Sequence, residues 1–504
     1  MEEVLTKDEI LDILNSEKTV YMLGTGELGP VNVPVEIVSY EQAVDTFKSG
    51  SLIDSYKLFK ESNVNSKVVF VKVVGSHSSV FLNIYDGCDI INGAFKIFSK
   101  DANEVYNKTR AVITSESLVI IFPKELELKN LEYTYSDYVS LYDLKNEINK
   151  SNSIRCEVFC NEGIETKLSI FPCNVHNHFL SGGVSGIDCD KNMTYVSLNE
   201  TYKILEGYDI NVLYLCNCHY DDVYDMSDIY GNSLYGLNTY GAARDYLTLK
   251  KEDGAPFSFY EQLLMFCIRQ NAFGNITIGL IGFNNLQKFD LSFEEVESII
   301  KKYSLLNHVG PEYENYKHLV MVTYGDVYYG YSDKRMNFAP VVAEMITNKY
   351  IINSIINKPF SDSISIYSEF TNETLTMLDS YNISTIRVSP LKNRVVVYSD
   401  STSSNKEFLH NLCNVRMVQV VMNIMKRQFQ KYIGKDVNLL LENNVLLNDM
   451  TELLTTLISV NIIKEFVIND ISKKELGNII FDIDLKGLYM LDFIKTYSGV
   501  TINE

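Results

Sequence analysis

The chain has no tryptophan among its 504 residues, although it carries 34 tyrosines and 25 phenylalanines. It is also short of positive charge: 45 lysines and arginines face 65 aspartates and glutamates, a formal net charge of -20. Such an excess of acid repels phosphate backbones and anionic lipid, so no direct contact with nucleic acid or membrane is expected outside a local basic patch. No apolar run reaches the length of a membrane-spanning helix. The opening MEEVLTKDEILDILNS places Glu2, Glu3 and Asp8 where an export signal would be basic. It reads instead as an amphipathic helix, with Thr6 and Glu9 as a capping box and Ile10, Ile13 and Leu14 on one face. This predicts a chain made and kept in the cytoplasm.

Two further shortages bear on chemistry. The nine cysteines are odd in number and dispersed, which predicts reduced thiols rather than a disulfide framework. Cys173, His176 and His178 form one group and Cys216, Cys218 and His219 another, but neither has the two-residue gap usual in zinc modules. A strand running through Cys218 would put both thiols on one face and His219 on the other. No metal or other cofactor is expected. No segment gathers a nucleophile with a base, and Asp221, Asp222, Asp225 and Asp228 fall in a Gly/Tyr-rich loop where carboxylates are solvated by default. Catalysis is not indicated.

What is present begins with TVYMLGTGELGPVNVPVEIV, where Gly24, Gly26 and Gly29 follow an apolar strand in the spacing G-x-G-x-x-G. A dinucleotide turn needs a helix to start next, so that its N-terminus faces the pyrophosphate. Here β-branched residues follow, and Pro34 pushes Val33 toward extended geometry. The next helical pattern starts only at Tyr40. The glycines therefore predict a tight turn and close packing.

Along the chain, residues 1–79 read as a small α/β unit, with helices at Tyr40 to Phe47 and Leu52 to Phe59. Residues 80–135 carry short β-rich runs divided by turn signals, an inserted domain. Residues 136–405 alternate the strands INVLYL, ITIGLIGF and HLVMVTY with helices, which predicts a mainly parallel sheet covered on both faces. Residues 406–504 hold two long helices, Glu407 to Ile433 and Leu446 to Ile462, then the strand patterns EFVI, NIIFDIDL and LYMLDFI.

With these elements in place, Val20 to Phe47 resembles the opening of contractile-tail sheath proteins, the family of bacteriophage tails, tail-like bacteriocins and related injection machines. That family starts with G-x-A-x-x-G-P-x-N-x-P-V, then a helix and Phe-Gly. Leu180 to Cys216 resembles its L-x-G-G-x-D-G segment with the following helix and strand, with Ser185 in place of Asp. RMNFAPVVAEM resembles the segment before its P-S-x-x-V-A-G helix, with Glu344 where glycine is usual. DSYNISTIRVSPLKNRVVVYSDST and NVRMVQVVMNIMKRQFQKYIG are similar to its N-x-I-R strand and its long C-terminal helix, Arg416 keeping one of two usual arginines. The pieces keep family order over about three quarters of the chain. A Pro-Gly-Val-Tyr arm and a Trp-Gly signature near Val397 are absent.

The resemblance implies an α/β and α+β, multidomain fold: a mainly parallel α/β sheath core with an inserted β-rich domain and extended C-terminal strands. It implies a structural subunit that polymerises helically around an inner tail tube protein, meets baseplate and tail terminator proteins, is assembled in a bacterial host cytoplasm, and ends in a virion tail or tail-like particle. The family links neighbours by exchanged terminal strands. Here Ile479, Phe481, Ile483 and Leu485 alternate onto one face and are the expected exchange residues. Arg416, Lys426, Arg427, Lys431 and Lys435, in a stretch without acid, are the expected tube-facing cations, with Val418, Val421, Met422 and Met425 as the packed side of that helix. A nucleotide-dependent α/β enzyme, and a baseplate or terminator protein on the same fold, remain as alternatives.

Overall fold

A computed structural model describes residues 4–487 except 16–17, 61–65, 76, 86–89, 160–170, 173–176, 182, 184, 186–190, 220–222, 225–256, 273–274, 276, 284–291, 307–312, 331–334, 348–353, 368, 391–392, 443 and 474–478. After helix α1 (Lys7–Asn15) come β1 (Thr19–Gly24), β2 (Val35–Ile37), α2 (Tyr40–Phe47), α3 (Ser51–Phe59) and β3 (Lys67–Lys72). Ser39 caps α2 by accepting from the Gln42 amide, which is why that helix starts where it does. The β-rich insertion follows: β4 (Ser79–Tyr85), β5 (Ile90–Ser99), β6 (Arg110–Ile113), β7 (Ser117–Ile121), β8 (Leu131–Thr134), α4 (Leu141–Asn149), β9 (Ile154–Val158) and β10 (Asn177–Phe179). Its strands form two antiparallel sheets, β4-β5-β9 and β10-β6-β7-β8. They share one apolar cluster with Leu141, Leu144 and Ile148 of α4, so this unit's core runs past residue 135.

The core resumes with α5 (Lys191–Leu205), β11 (Val212–His219), the short pair β12 (Val223–Tyr224) and β13 (Phe257–Ser258), α6 (Phe259–Ala272), β14 (Ile278–Gly282) and α7 (Phe293–Leu306). Next are β15 (Val320–Tyr324), β16 (Asp326–Tyr329), β17 (Met336–Asn337), α8 (Ala339–Thr347), β18 (Ile364–Ile366), α9 (Asn372–Ser380), β19 (Ile383–Ser389) and β20 (Arg394–Val397). An eight-stranded sheet runs β2-β3-β1-β11-β14-β15-β19-β20. Its two outermost pairings are antiparallel and the five between them parallel. Alternate residues of each strand feed separate cores: Tyr21, Leu23, Leu213 and Leu215 on one face, Val20, Met22, Val212 and Tyr214 on the other. Continuous apolar strands such as VMVTY, buried throughout, follow from helices covering both faces.

The glycine-rich turn after β1 is a joint between the two units. Gly29 has φ +91, and a Cβ there would lie 2.5 Å from the Phe47 ring. The loop grips the insertion: the Gly29 carbonyl accepts from the Ala102 amide at 3.2 Å, and the Glu27 carbonyl accepts from Asn103 Nδ2 at 3.0 Å. Lys72, fully buried at the end of β3, donates to the Ala102 carbonyl at 2.8 Å. The insertion's own backbone thus lies against the loop that a pyrophosphate would need.

The chain closes with α10 (Glu407–His410), α11 (Leu412–Phe429), α12 (Val437–Glu442), α13 (Val445–Ser459), β21 (Ile463–Lys473) and β22 (Ile479–Gly487). The expected single helix from Glu407 to Ile433 is interrupted, because Asn411 takes extended backbone and bridges to Ser401. Beyond Phe429 it tightens into a 3₁₀ turn over Gln430–Tyr432.

Candidate assembly surface

The C-terminal elements surround a separate apolar cluster. Met417, Val420, Val421 and Ile424 of α11 pack with Met450, Leu453, Leu454 and Leu457 of α13 and with Ile10 and Ile13 of α1. The N-terminal capping box is formed: the Thr6 amide and hydroxyl each donate to Glu9 at 2.8 Å, and the Glu9 amide donates back to Thr6 at 3.3 Å. Those hydrogen bonds hold the Glu9 carboxyl below its usual value. The Leu5 amide donates to Gln428 Oε1 at 2.9 Å, so the N-terminal segment is fastened to α11.

Of the expected packed side of α11, Val421 is buried and Val418 and Met425 pack against the cluster, but Met422 does not. Met422 is 39% exposed, whereas Val420, Ile424 and Gln428 are buried. The helix is held on two sides, by α1 and α13 on one and by the core on the other, where Gln419 Nε2 donates to the Asn211 carbonyl at 3.3 Å. A single amphipathic stripe cannot describe a helix that is sandwiched in this way.

The five cations do not form one continuous stripe. Arg416 is 1% exposed and donates from Nη2 to the Ile346 carbonyl; burial pulls its pKa down to about 10. Lys431 pairs with Asp449 at 2.9 Å with both side chains mostly covered, and Tyr432 donates its hydroxyl to the same carboxylate. Lys426 and Arg427 are exposed on the last turn of α11, the first donating to Asn275 Oδ1 at 2.9 Å. Lys435 is exposed just beyond and lies 5.2 Å from the Tyr432 ring centroid. Asp449, the carboxylate organising this corner, lies 18 positions from Lys431 and carries no motif that would single it out.

The residues expected to be exchanged lie on β22, which pairs antiparallel with β21 of the same chain. Phe481, Ile483 and Leu485 face the C-terminal cluster, and the Phe481 and Phe429 rings approach to 4.8 Å between centroids. Ile479 pairs in register with Lys473 at the hairpin's far end. Its outward face carries Val467, Asp482 and Asp484, all exposed. The strand pattern LYMLDFI lies outside the described residues.

Strand β11 does not run regularly through Cys218. A register shift in β11 between Tyr214 and His219 sends Cys216 into one core and Cys218 into the other, so they do not share a face. Burial pushes the Cys216 thiol up to about 12. Cys173 and His176, and Asp221, Asp222, Asp225 and Asp228, lie outside the described residues.

No family model matches the chain, and no curated protein matches it. Solved structures do. A sheath tail protein from Listeria innocua is similar over 95% of this chain and 99% of that one, with 11% identity and a TM-score of 0.50. A chain from the anti-feeding prophage baseplate in its contracted state is similar over 99% and 96%, with 11% identity and a TM-score of 0.50. A sheath tail protein from Desulfitobacterium hafniense is similar over 94% and 97%, with 11% identity and a TM-score of 0.48. The chain therefore has the mixed, multidomain α/β fold of the sheath tail protein from Listeria innocua.

Proposed function

We propose that the chain is the structural subunit of a contractile tail sheath, polymerising helically around an inner tube and contracting to drive that tube through a target cell envelope. The observation that carries this is the end-to-end likeness to a sheath tail protein, 95% of one chain on 99% of the other. A sheath needs a head-to-tail contact that does not close into a ring. Among the described residues the β21–β22 hairpin pairs with no third strand, and Ile479, Phe481, Ile483 and Leu485 are the residues an exchanged strand would bring. Lys426, Arg427 and Lys435 are the cations α11 and its following turn would offer an acidic tube.

On this reading the protein is not an enzyme. Its particle is a phage tail or a tail-like bacteriocin, assembled in the host cytoplasm and capped by baseplate and terminator proteins. Negative-stain microscopy of the purified chain tests the proposal, with tubes or helical fragments that lengthen with concentration as the expected result. A second reading is favoured by the match to a chain of the anti-feeding prophage baseplate. A baseplate component on this fold would bind a sheath yet stay monomeric in sedimentation at all concentrations. A thermal-shift scan with NAD, NADP, ATP and GTP addresses the enzyme alternative: ligand at a hundred times its Kd stabilises by about 2.7 kcal/mol, and no shift is expected.

A further inference from the structure

The chain leaves the large sheet at β20 and reaches α11 through a loop whose two limbs are fastened to each other and to one carboxylate. Outgoing residues 400–402 run beside returning residues 410–412. The Thr402 amide donates to the His410 carbonyl at 2.7 Å, the Leu412 amide donates to the Asp400 carbonyl at 3.1 Å, and Ser401 bridges Asn411. The loop also sits on the sheet, with the Ser403 amide donating to the Val320 carbonyl at 2.9 Å. Asp379, in the last turn of α9, touches both limbs with the same oxygen. Its Oδ1 accepts from the Ser401 hydroxyl and lies 3.8 Å from His410 Nε2.

The ring's other nitrogen fixes what that second contact does. His410 Nδ1 lies 3.3 Å from the Ser404 carbonyl, an acceptor, so Nδ1 carries the hydrogen. Neutral His410 then points a lone pair at a carboxylate. Protonated His410 points an N–H at it. The charged groups acting on the ring are Asp379 from α9 and Asp400 from the outgoing limb, and both favour the imidazolium. Asp379 stays ionised across this range: burial pushes it up, but the nearby His410 and hydrogen bonds from Ser401 and Ser399 outweigh that and leave it below its usual value. Both side chains keep about a third of their surface in solvent, 28% and 33%, so protons exchange freely.

We propose that His410 and Asp379 form a proton-dependent latch on the linker between the α/β core and the C-terminal helices. With His410 protonated, both limbs are fastened to Asp379; with His410 neutral, only the outgoing limb is held, through Ser399 and Ser401. Asp379 raises the histidine's affinity for its proton in the closed linker. The contribution is therefore complete below the ordinary histidine value of 6.5 and fades as pH rises through the raised one. The consequence is a linker, and with it an orientation of α11 against the sheet, that tightens in mild acid. This holds whether or not the chain builds a sheath.

Hydrogen–deuterium exchange of the full chain, with rates corrected for intrinsic pH dependence between about pH 5.5 and 8.5, reads the latch directly. Peptides covering Asp400 to Leu412 should lose protection above pH 6.5, by no more than about tenfold per pH unit for one proton, while β14 peptides stay constant. His410→Gln, which donates at every pH, and Asp379→Asn, which removes the charge, should each flatten that profile. A flat wild-type profile overturns the proposal. So does an unchanged slope in His410→Gln, or in Asp379→Asn should the first variant not fold.

Discussion

The guanidinium of Arg416 reaches from the first half of α11 to the backbone oxygen of Ile346 in the last turn of α8, and it does so out of contact with water. It places positive charge at the carbonyl end of a core helix, where the helix dipole favours a cation. The bond thereby ties the C-terminal helix to the sheet-bearing core. Arg416→Met keeps apolar bulk but leaves a buried acceptor without its donor, which costs about 1–3 kcal/mol. Arg416→Ala adds a cavity and should cost more, about 2–5 kcal/mol. Urea denaturation followed by circular dichroism reads both, and a midpoint unchanged in Arg416→Met would contradict the anchoring role.

The contact between Phe481 and Phe429 holds the hairpin on α11. Phe481 is half-buried, so Phe481→Ala should cost about 1–3 kcal/mol, below the 3–5 of a fully enclosed phenylalanine. The loss should be local, with faster amide exchange in β21 and unchanged exchange in β14. Removing Gly477 to Glu504 takes away β22 altogether, and the expected product is a soluble core that does not polymerise. Tubes of normal length from the truncated chain would rule out a role for these residues in linking subunits.

Lys18 gives a pH dependence of opposite sense to that of His410. Its ammonium donates to the Ile13 carbonyl at 3.1 Å, and burial, reinforced by the like charge of Arg427, pulls its pKa from 10.5 to about 8. Between those values the unfolded chain binds the extra proton, so this residue's contribution to stability rises with pH across the window. Lys18→Met removes the penalty. The variant should have the higher urea midpoint at pH 7, and its advantage over the parent should shrink between about pH 8 and 10.

Elements with local signals were legible in the sequence. Helix α2 starts after Ser39 and α4 after Ser140, whose hydroxyl and Asp143 form a capping box, and both helices end where their apolar periodicity stops. The glycine-rich turn was legible too, because Pro34 and the β-branched residues around it forbid the helix a nucleotide would need. What stayed hidden depends on contacts distant in sequence. A cation in an acid-free stretch reads as a surface charge, yet Arg416 finds its acceptor 70 residues upstream and Lys431 its partner on another helix. The β11 register shift that separates Cys216 from Cys218 is set by pairing with β14. Likewise, α4 joins the insertion's core only because β5 and β9 present an apolar face to it.

The cations at the end of α11 can be divided by what each one touches. Lys431 is committed within the subunit, through a mostly covered pair with Asp449, an acid that Tyr432 also meets. Reversing it to Glu sets two carboxylates against each other and should lower the stability of the isolated subunit by about 1–3 kcal/mol, between the ranges for exposed and buried pairs. Arg427 and Lys426 are exposed on the last helical turn, so reversing both gives up about 0.3–1 kcal/mol of helix-end stabilisation each while relieving Lys18 of a like charge, a smaller net loss than that of Lys431→Glu. If these two meet an acidic tube, each exposed pair is worth only about 0.2–1 kcal/mol. The attachment then rests on many subunits acting together. The double reversal should accordingly weaken co-assembly with tubes most at low salt, where screening is least. The two variants separate the roles: Lys431→Glu should lose stability first and assembly as a consequence, and the Lys426/Arg427 reversal should lose more assembly for its smaller loss of stability. Normal decoration of tubes by the double reversal across a salt series would exclude this corner from the tube-facing surface.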